Sequence, residues 1–123
     1  LVAAGGIDGM MTVGEMSSTT LENCIGYTSE KNHELTMCFN FHHLKVDYKN
    51  GQKWELMPPD HGALKRLFQT WQEGMQEHGG WNALFWCNHD QPRAVSRFGS
   101  DTTYWRESAE MLATIIIRAR NWA

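Results

Sequence analysis

The chain has no apolar run long enough to cross a bilayer. A spanning helix needs about 20 consecutive apolar residues, and the longest run here is Ala83-Leu84-Phe85-Trp86-Cys87. Basic residues are not in excess either. Lys and Arg number 11 against 14 Asp and Glu, a formal net charge of -3. That balance argues against nucleic acid or an anionic membrane as partner. Cysteine is scarce and odd in number, and Cys24, Cys38 and Cys87 fit no metal-type spacing. Each lies in an apolar element, so reduced core thiols in a cytoplasmic protein are expected. Residues 1–7 have no basic region ahead of their apolar stretch, so no signal peptide is expected. Internal repeats, low-complexity segments and domain linkers are also lacking.

What remains is an ordinary globular composition: 123 residues, 41% hydrophobic and 20% charged, enough for one small domain. Met10-Met11-Thr12-Val13 reads as a short buried strand ended by Gly14-Glu15. Thr19 and Glu22 fit a capping box for a helix through about Tyr27, with Leu21, Cys24 and Ile25 on its buried face. Residues 34–41 alternate, with Leu35, Met37, Phe39 and Phe41 on one side, and read as a second strand. A long polar connection, 42–59, closes on Pro58-Pro59. Connections of that length inside compact domains are often functional. Asp60 caps the clearest helix, with Leu64, Leu67, Phe68, Trp71 and Met75 at helical spacing and Gly79-Gly80 as its stop. The run 83–87 has the length of a buried parallel strand, and Pro92 ends the pairing beyond it. Residues 104–118 read as a last helix with Ala109, Leu112 and Ile116 on one stripe. Strand and helix alternate throughout, which predicts consecutive βα units on a parallel sheet. Three units cannot close an eight-stranded barrel of roughly 250 residues. The pattern therefore fits either a small open α/β domain or part of a (β/α)8 barrel.

The residues that could do chemistry gather at strand ends. Glu15 closes the first strand, and His89 and Asp90 follow the third. In parallel neighbours these ends share one crevice. Two carboxylates across a crevice are what glycoside hydrolysis uses, one to protonate the leaving oxygen and one on the sugar face. Any α/β protein has acidic residues at such ends, so the residue pattern alone leaves a non-catalytic α/β piece or binding module open. A metal site from His42, His43, His89 and Cys87 is disfavoured, because adjacent strand residues point to opposite faces.

The wording of three stretches narrows the reading. They are Thr12-Val13-Gly14-Glu15-Met16-Ser17-Ser18-Thr19-Thr20, Phe39-Asn40-Phe41-His42-His43-Leu44-Lys45-Val46-Asp47-Tyr48, and Trp81-Asn82-Ala83-Leu84-Phe85-Trp86-Cys87-Asn88-His89-Asp90-Gln91-Pro92-Arg93 with Val95-Ser96-Arg97-Phe98-Gly99. From about Met11 to Thr114 the chain resembles the α-amylase clan of glycoside hydrolases, in the group of trehalose-6-phosphate hydrolases and oligo-1,6-glucosidases. The resemblance implies a partial (β/α)8 TIM barrel, with residues 1–123 a piece of one catalytic domain spanning strands five to seven. It implies Glu15 as general acid/base, Asp90 as the transition-state-stabilising aspartate, and His89 as a sugar-hydroxyl contact. Arg93 is either a substrate contact or a loop-bracing ion pair.

Where 1,6-glucosidases of that group are acidic, this chain has His42-His43-Leu44-Lys45. A sugar 6-phosphate rewards a cationic loop. Lys45 and Lys53 are therefore the phosphate candidates, with His42 and His43 secondary. The implied substrate is a small phosphorylated disaccharide, trehalose 6-phosphate, split with retention of configuration and without a cofactor. The alternative is a neutral oligosaccharide. The clan's nucleophilic aspartate sits in a Gly-x-Arg-x-Asp setting that does not occur in these 123 residues. The remainder of the barrel is therefore expected to be needed for activity, and the segment alone is expected to be inactive and prone to aggregate.

Overall fold

A computed structural model describes residues 10–119. Three strands form a parallel sheet in the order β1 (Val13–Met16), β2 (Met37–Asn40), β3 (Asn82–Ala83). The helices are α1 (Leu21–Thr28), α2 (His61–Glu77), α3 (Ala94–Phe98) and α4 (Trp105–Ala119). The alternating βα pattern read from the sequence is therefore present. The chain divides into two compact units. The first holds residues 10–42 and 69–83, the second 43–68 and 84–119.

In the first unit the sheet register opens on a pair of threonines. Thr12 N–H donates to Thr36 Oγ1 and Thr36 N–H to Thr12 Oγ1, each at 3.0 Å. The ladder then matches Val13 to Met37, Glu15 to Phe39 and Met16 to Asn40, and β2 pairs Cys38 with Asn82. Gly14 permits the close approach of Leu35, whose Cδ1 would lie 2.6 Å from an added Cβ. The first strand begins later than the apolar run suggests and includes Glu15.

The buried side of β2 is Cys38 and Asn40, not the Met37–Phe39 side that alternation favours. The reason is hydrogen bonding. Asn40 Nδ2 donates to Asn82 Oδ1 at 3.0 Å, and Asn40 Oδ1 accepts from His42 N–H, so a buried amide is satisfied. In α1 the cap is Thr20 rather than Thr19, with Asn23 N–H donating to Thr20 Oγ1. The carbonyl of Thr19 is already engaged by the ring of His42 at 2.7 Å. Buried Thr28 ends the helix by donating to Cys24 O at 2.7 Å while accepting from Trp81 N–H at 3.0 Å. It thereby ties α1 to the approach of β3.

Helix α2 starts as the sequence indicates. Asp60 Oδ1 accepts from Ala63 N–H at 2.8 Å, and at the far end Gly79 takes a φ of +69° while Gly80 N–H returns to Met75 O. Leu64, Trp71 and Met75 are its most buried side chains.

The largest departures from expectation lie at the end of β3 and in the second unit. Only Asn82–Ala83 of the third strand joins the ladder, and residues 84–87 are irregular. Trp86 is held there by its rings and its indole rather than by strand pairing. Its Nε1–H donates to Leu112 O at 2.7 Å, and its ring meets Phe68 edge-on at 5.6 Å and Phe98 at 5.4 Å. The connection 42–59 is not a solvated loop. His43, Leu44, Val46 and Asp47 are buried within it, and two single helical turns and a bridge between Tyr48 and Leu56 fold it on itself. Helix α3 was not foreseen. It follows directly after Pro92-Arg93.

Cys87 is exposed, contrary to the expectation of three core thiols, whereas Cys24 and Cys38 are buried. Burial, with Cys24 beside it, pushes the Cys38 thiol well above the ordinary range. The folded chain therefore keeps its proton where the unfolded chain has lost it. The stability this contributes is complete below about pH 9 and falls as pH rises past it. Iodoacetamide should thus alkylate Cys87 in the folded chain and reach Cys24 and Cys38 only on unfolding. Mass spectrometry of the labelled peptides reads this, and equal labelling of all three would show that the first unit's core is not formed.

Candidate active site

Glu15 is the third of four residues in β1, one place short of its carboxyl end, with its side chain exposed. The strand is fixed on that side by the Phe39 pairing, so the carboxylate is carried on a rigid ladder rather than a loop.

His89 and Asp90 lie in the second unit, in a tight turn after residues 84–87. Asn88 builds that turn. Its Oδ1 accepts from Asp90 N–H at 2.9 Å and its carbonyl from Gln91 N–H. The His89 ring stands 3.5 Å from Asp90 Oδ2, with both side chains largely in solvent, at 79% and 63%. A pair so exposed contributes little to stability. Its value is as accessible hydrogen-bonding groups, a carboxylate acceptor and an imidazole on one turn.

Lys45 ends a single helical turn over His42–Lys45 and is half-buried. Lys53 sits at the exposed tip of the 47–57 excursion, its Nζ 5.1 Å over the ring of Trp54, which is 87% exposed. The two histidines beside Lys45 are held in packing. His42 stacks on Trp71 at 5.1 Å, and its Nε2–H donates to Thr19 O. His43 is buried, donates from Nε2 to Phe85 O at 2.6 Å, and is enclosed by the rings of Phe68, Phe85 and Trp86. Both rings thus already have work in their own units.

Arg93 is exposed at the start of α3. The ion pair that braces this region belongs to Arg97 instead. Arg97 Nε donates to Asp47 Oδ2 and Nη2 to Asp47 Oδ1, each at 2.7 Å, with the two side chains only 8% and 6% exposed. Nη1 donates to Gln91 Oε1 at 2.7 Å, and Nη2 also donates to Leu44 O. The rings of Tyr48 and Phe98 lie 5.4 and 4.9 Å from the guanidinium. Hydrogen bonding to Asp47 holds the Arg97 proton more tightly than usual, against the opposing effect of burial. The sequence reading missed this pair. The available signal was that Asp47 stands between the apolar neighbours Val46 and Tyr48, and that Phe98 directly follows Arg97. Among the described residues no three His, Cys, Asp or Glu side chains come together as a metal site.

The family of the fold follows from comparison. The sequence model of the alpha amylase catalytic domain matches residues 2–122, and the chain belongs to that family. Its parallel βα units are thus part of a (β/α)8 barrel. Among particular proteins, it is 64% identical over 106 residues to the trehalose-6-phosphate hydrolase of Bacillus subtilis, and 60% over 108 residues to that of Escherichia coli. Those matches cover 86% and 88% of this chain and 19% of each relative. An oligo-1,6-glucosidase of Bacillus cereus is 50% identical over 107 residues. These cover 87% of this chain and 19% of the relative. The solved trehalose-6-phosphate hydrolase of Bacillus licheniformis superposes with a TM-score of 0.84 at 61% identity, over 86% of this chain and 19% of that one. The chain therefore spans about one fifth of the length of the relatives it matches.

His43 is a structural side chain by this geometry, and its replacement should show it. His43→Ala should destabilise the fold by roughly 2–5 kcal/mol, the usual range for a large buried side chain cut to alanine, with the Phe85 carbonyl losing this donor as well. Thermal melts of a full-length enzyme carrying this segment measure it. An unchanged melting temperature would remove His43 from the core.

Proposed function

We propose that residues 1–123 belong to one catalytic barrel domain, covering its strands five to seven, of a cytoplasmic enzyme. In this reading the enzyme hydrolyses α,α-trehalose 6-phosphate to glucose and glucose 6-phosphate with retention. The observation that carries this is the gap in identity: 64% and 60% to two trehalose-6-phosphate hydrolases, over 106 and 108 residues, against 50% to an oligo-1,6-glucosidase over 107. The cationic segment at Lys45 supports it. The three unpaired thiols favour a reducing compartment, and among the described residues no helix is long and apolar enough to cross a membrane.

In this reading Glu15 protonates the bridging oxygen and later deprotonates the incoming water. The nucleophile is an aspartate supplied by the remainder of the barrel. Asp90 and His89 hold the distorted sugar ring through its hydroxyls, bonds that strengthen as charge develops. Lys45 and Lys53 receive the phosphate of the leaving glucose 6-phosphate through charge-assisted bonds, and Arg93 is a further substrate contact.

In a full-length enzyme, Glu15→Gln should abolish most turnover while sparing substrate binding, because shape survives and the proton donor does not. Initial rates against binding titrations separate the two. Lys45→Ala and Lys53→Ala should each lower kcat/KM for trehalose 6-phosphate by roughly ten- to a hundredfold, as expected for one charge-assisted bond of about 1.5–3 kcal/mol. An unphosphorylated α-glucoside should be hardly affected. Equal losses on both substrates would favour the neutral-oligosaccharide reading.

A further inference from the structure

We propose that Arg97 is a positioning residue that fixes the two functional loops of the second unit in one arrangement: the 44–57 segment bearing Lys45 and Lys53, and the 88–91 turn bearing His89 and Asp90. The inference rests on the hydrolase reading above, and deepens it by naming what sets phosphate and ring contacts at a fixed spacing.

The guanidinium spends its donors on both sides at once. Toward the first segment it takes both Asp47 oxygens and the Leu44 carbonyl, and toward the turn it takes Gln91 Oε1. Each of those groups leads on to a functional side chain. Leu44 and Asp47 flank Lys45 in the chain. Asp47 O accepts from Met57 N–H at 2.9 Å and Lys49 N–H donates to Glu55 O at 2.7 Å, which closes the excursion that carries Lys53. Gln91 N–H returns to Asn88 O, and Asn88 Oδ1 holds Asp90 N–H.

A planar fork with five donors can serve four acceptors lying in different directions, whereas a lysine ammonium cannot reproduce the paired bonds to Asp47. Burial makes the arrangement exacting, because any acceptor lost leaves an uncompensated polar group. A surface arginine could not transmit position in this way.

The test uses the Bacillus subtilis trehalose-6-phosphate hydrolase with its matched segment replaced by this chain's residues. The unsubstituted chimaera, assayed on trehalose 6-phosphate beside its parent, tests the hydrolase reading by itself. Arg97→Lys and Asp47→Asn then test the positioning role, with two readouts. Hydrogen exchange should quicken about tenfold or more in peptides covering both 44–57 and 88–93 and remain unchanged elsewhere in the barrel, a result that does not depend on activity. In kinetics, kcat should fall about tenfold or more on trehalose 6-phosphate and on an unphosphorylated α-glucoside, because the Asp90 turn shifts. KM should rise on the phosphorylated substrate alone, and the double variant should be no worse than either single one. Exchange that rises in one loop only, in neither, or evenly across the barrel overturns the proposal, as do losses that simply multiply in the double variant. Should these variants not fold, Gln91→Ala cuts one arm alone. It should loosen 88–93 and lower kcat on both substrates while leaving the preference for the phosphorylated one intact, and unaltered exchange there would equally overturn it.

Discussion

A buried arginine paired with a buried aspartate governs the second unit of this chain. Taking both charges out of water is costly, and their mutual attraction offsets that cost only when every remaining donor is satisfied. Arg97 spends four N–H bonds on Asp47, Gln91 and a main-chain carbonyl, with the rings of Tyr48 and Phe98 close to its guanidinium. The consequence is geometric. A connection of some eighteen residues, which would otherwise wander in solvent, is pinned at Leu44 and Asp47 and buries Leu44 and Val46. The entropy of ordering such a stretch is large, so a polar anchor of this quality is the physical condition for its having one shape.

The first unit depends on gentler means. A threonine pair, an asparagine pair and a threonine shared by α1 and the approach of β3 set the register of a parallel sheet whose side chains are otherwise ordinary. Parallel pairing gives no hairpin turn to fix alignment, so side-chain hydrogen bonds at the strand starts serve that end. Glu15 gains from this. A carboxylate on a registered strand is held to a narrower range of positions than one on a loop.

The exposed apolar side chains have a plain reading in a segment that spans a fifth of its relatives. Trp54, Leu56, Trp81, Tyr104, Trp105 and Ile117 are all solvent-exposed. Where such groups lie together they mark surface that something else covers. Phe41 and Trp86, by contrast, are buried.

The sequence by itself determined the alternation of strands with the three longer helices, because helical spacing and short apolar runs are local properties of the chain. The helix at 61–77 and its Asp60 cap, the β1–β2 pairing region and the family wording around Glu15 and His89-Asp90 were all readable from it. It could not tell which side of β2 is buried, because Asn40 is polar and its burial depends on Asn82 lying 42 positions away. Nor could it tell that the third strand would shrink to two residues, since the pull on Trp86 comes from a carbonyl at Leu112. Above all it could not distinguish Arg93 from Arg97. The two share charge, loop and neighbourhood in sequence, and only a partner fifty positions upstream makes one of them a buried anchor and leaves the other at the surface.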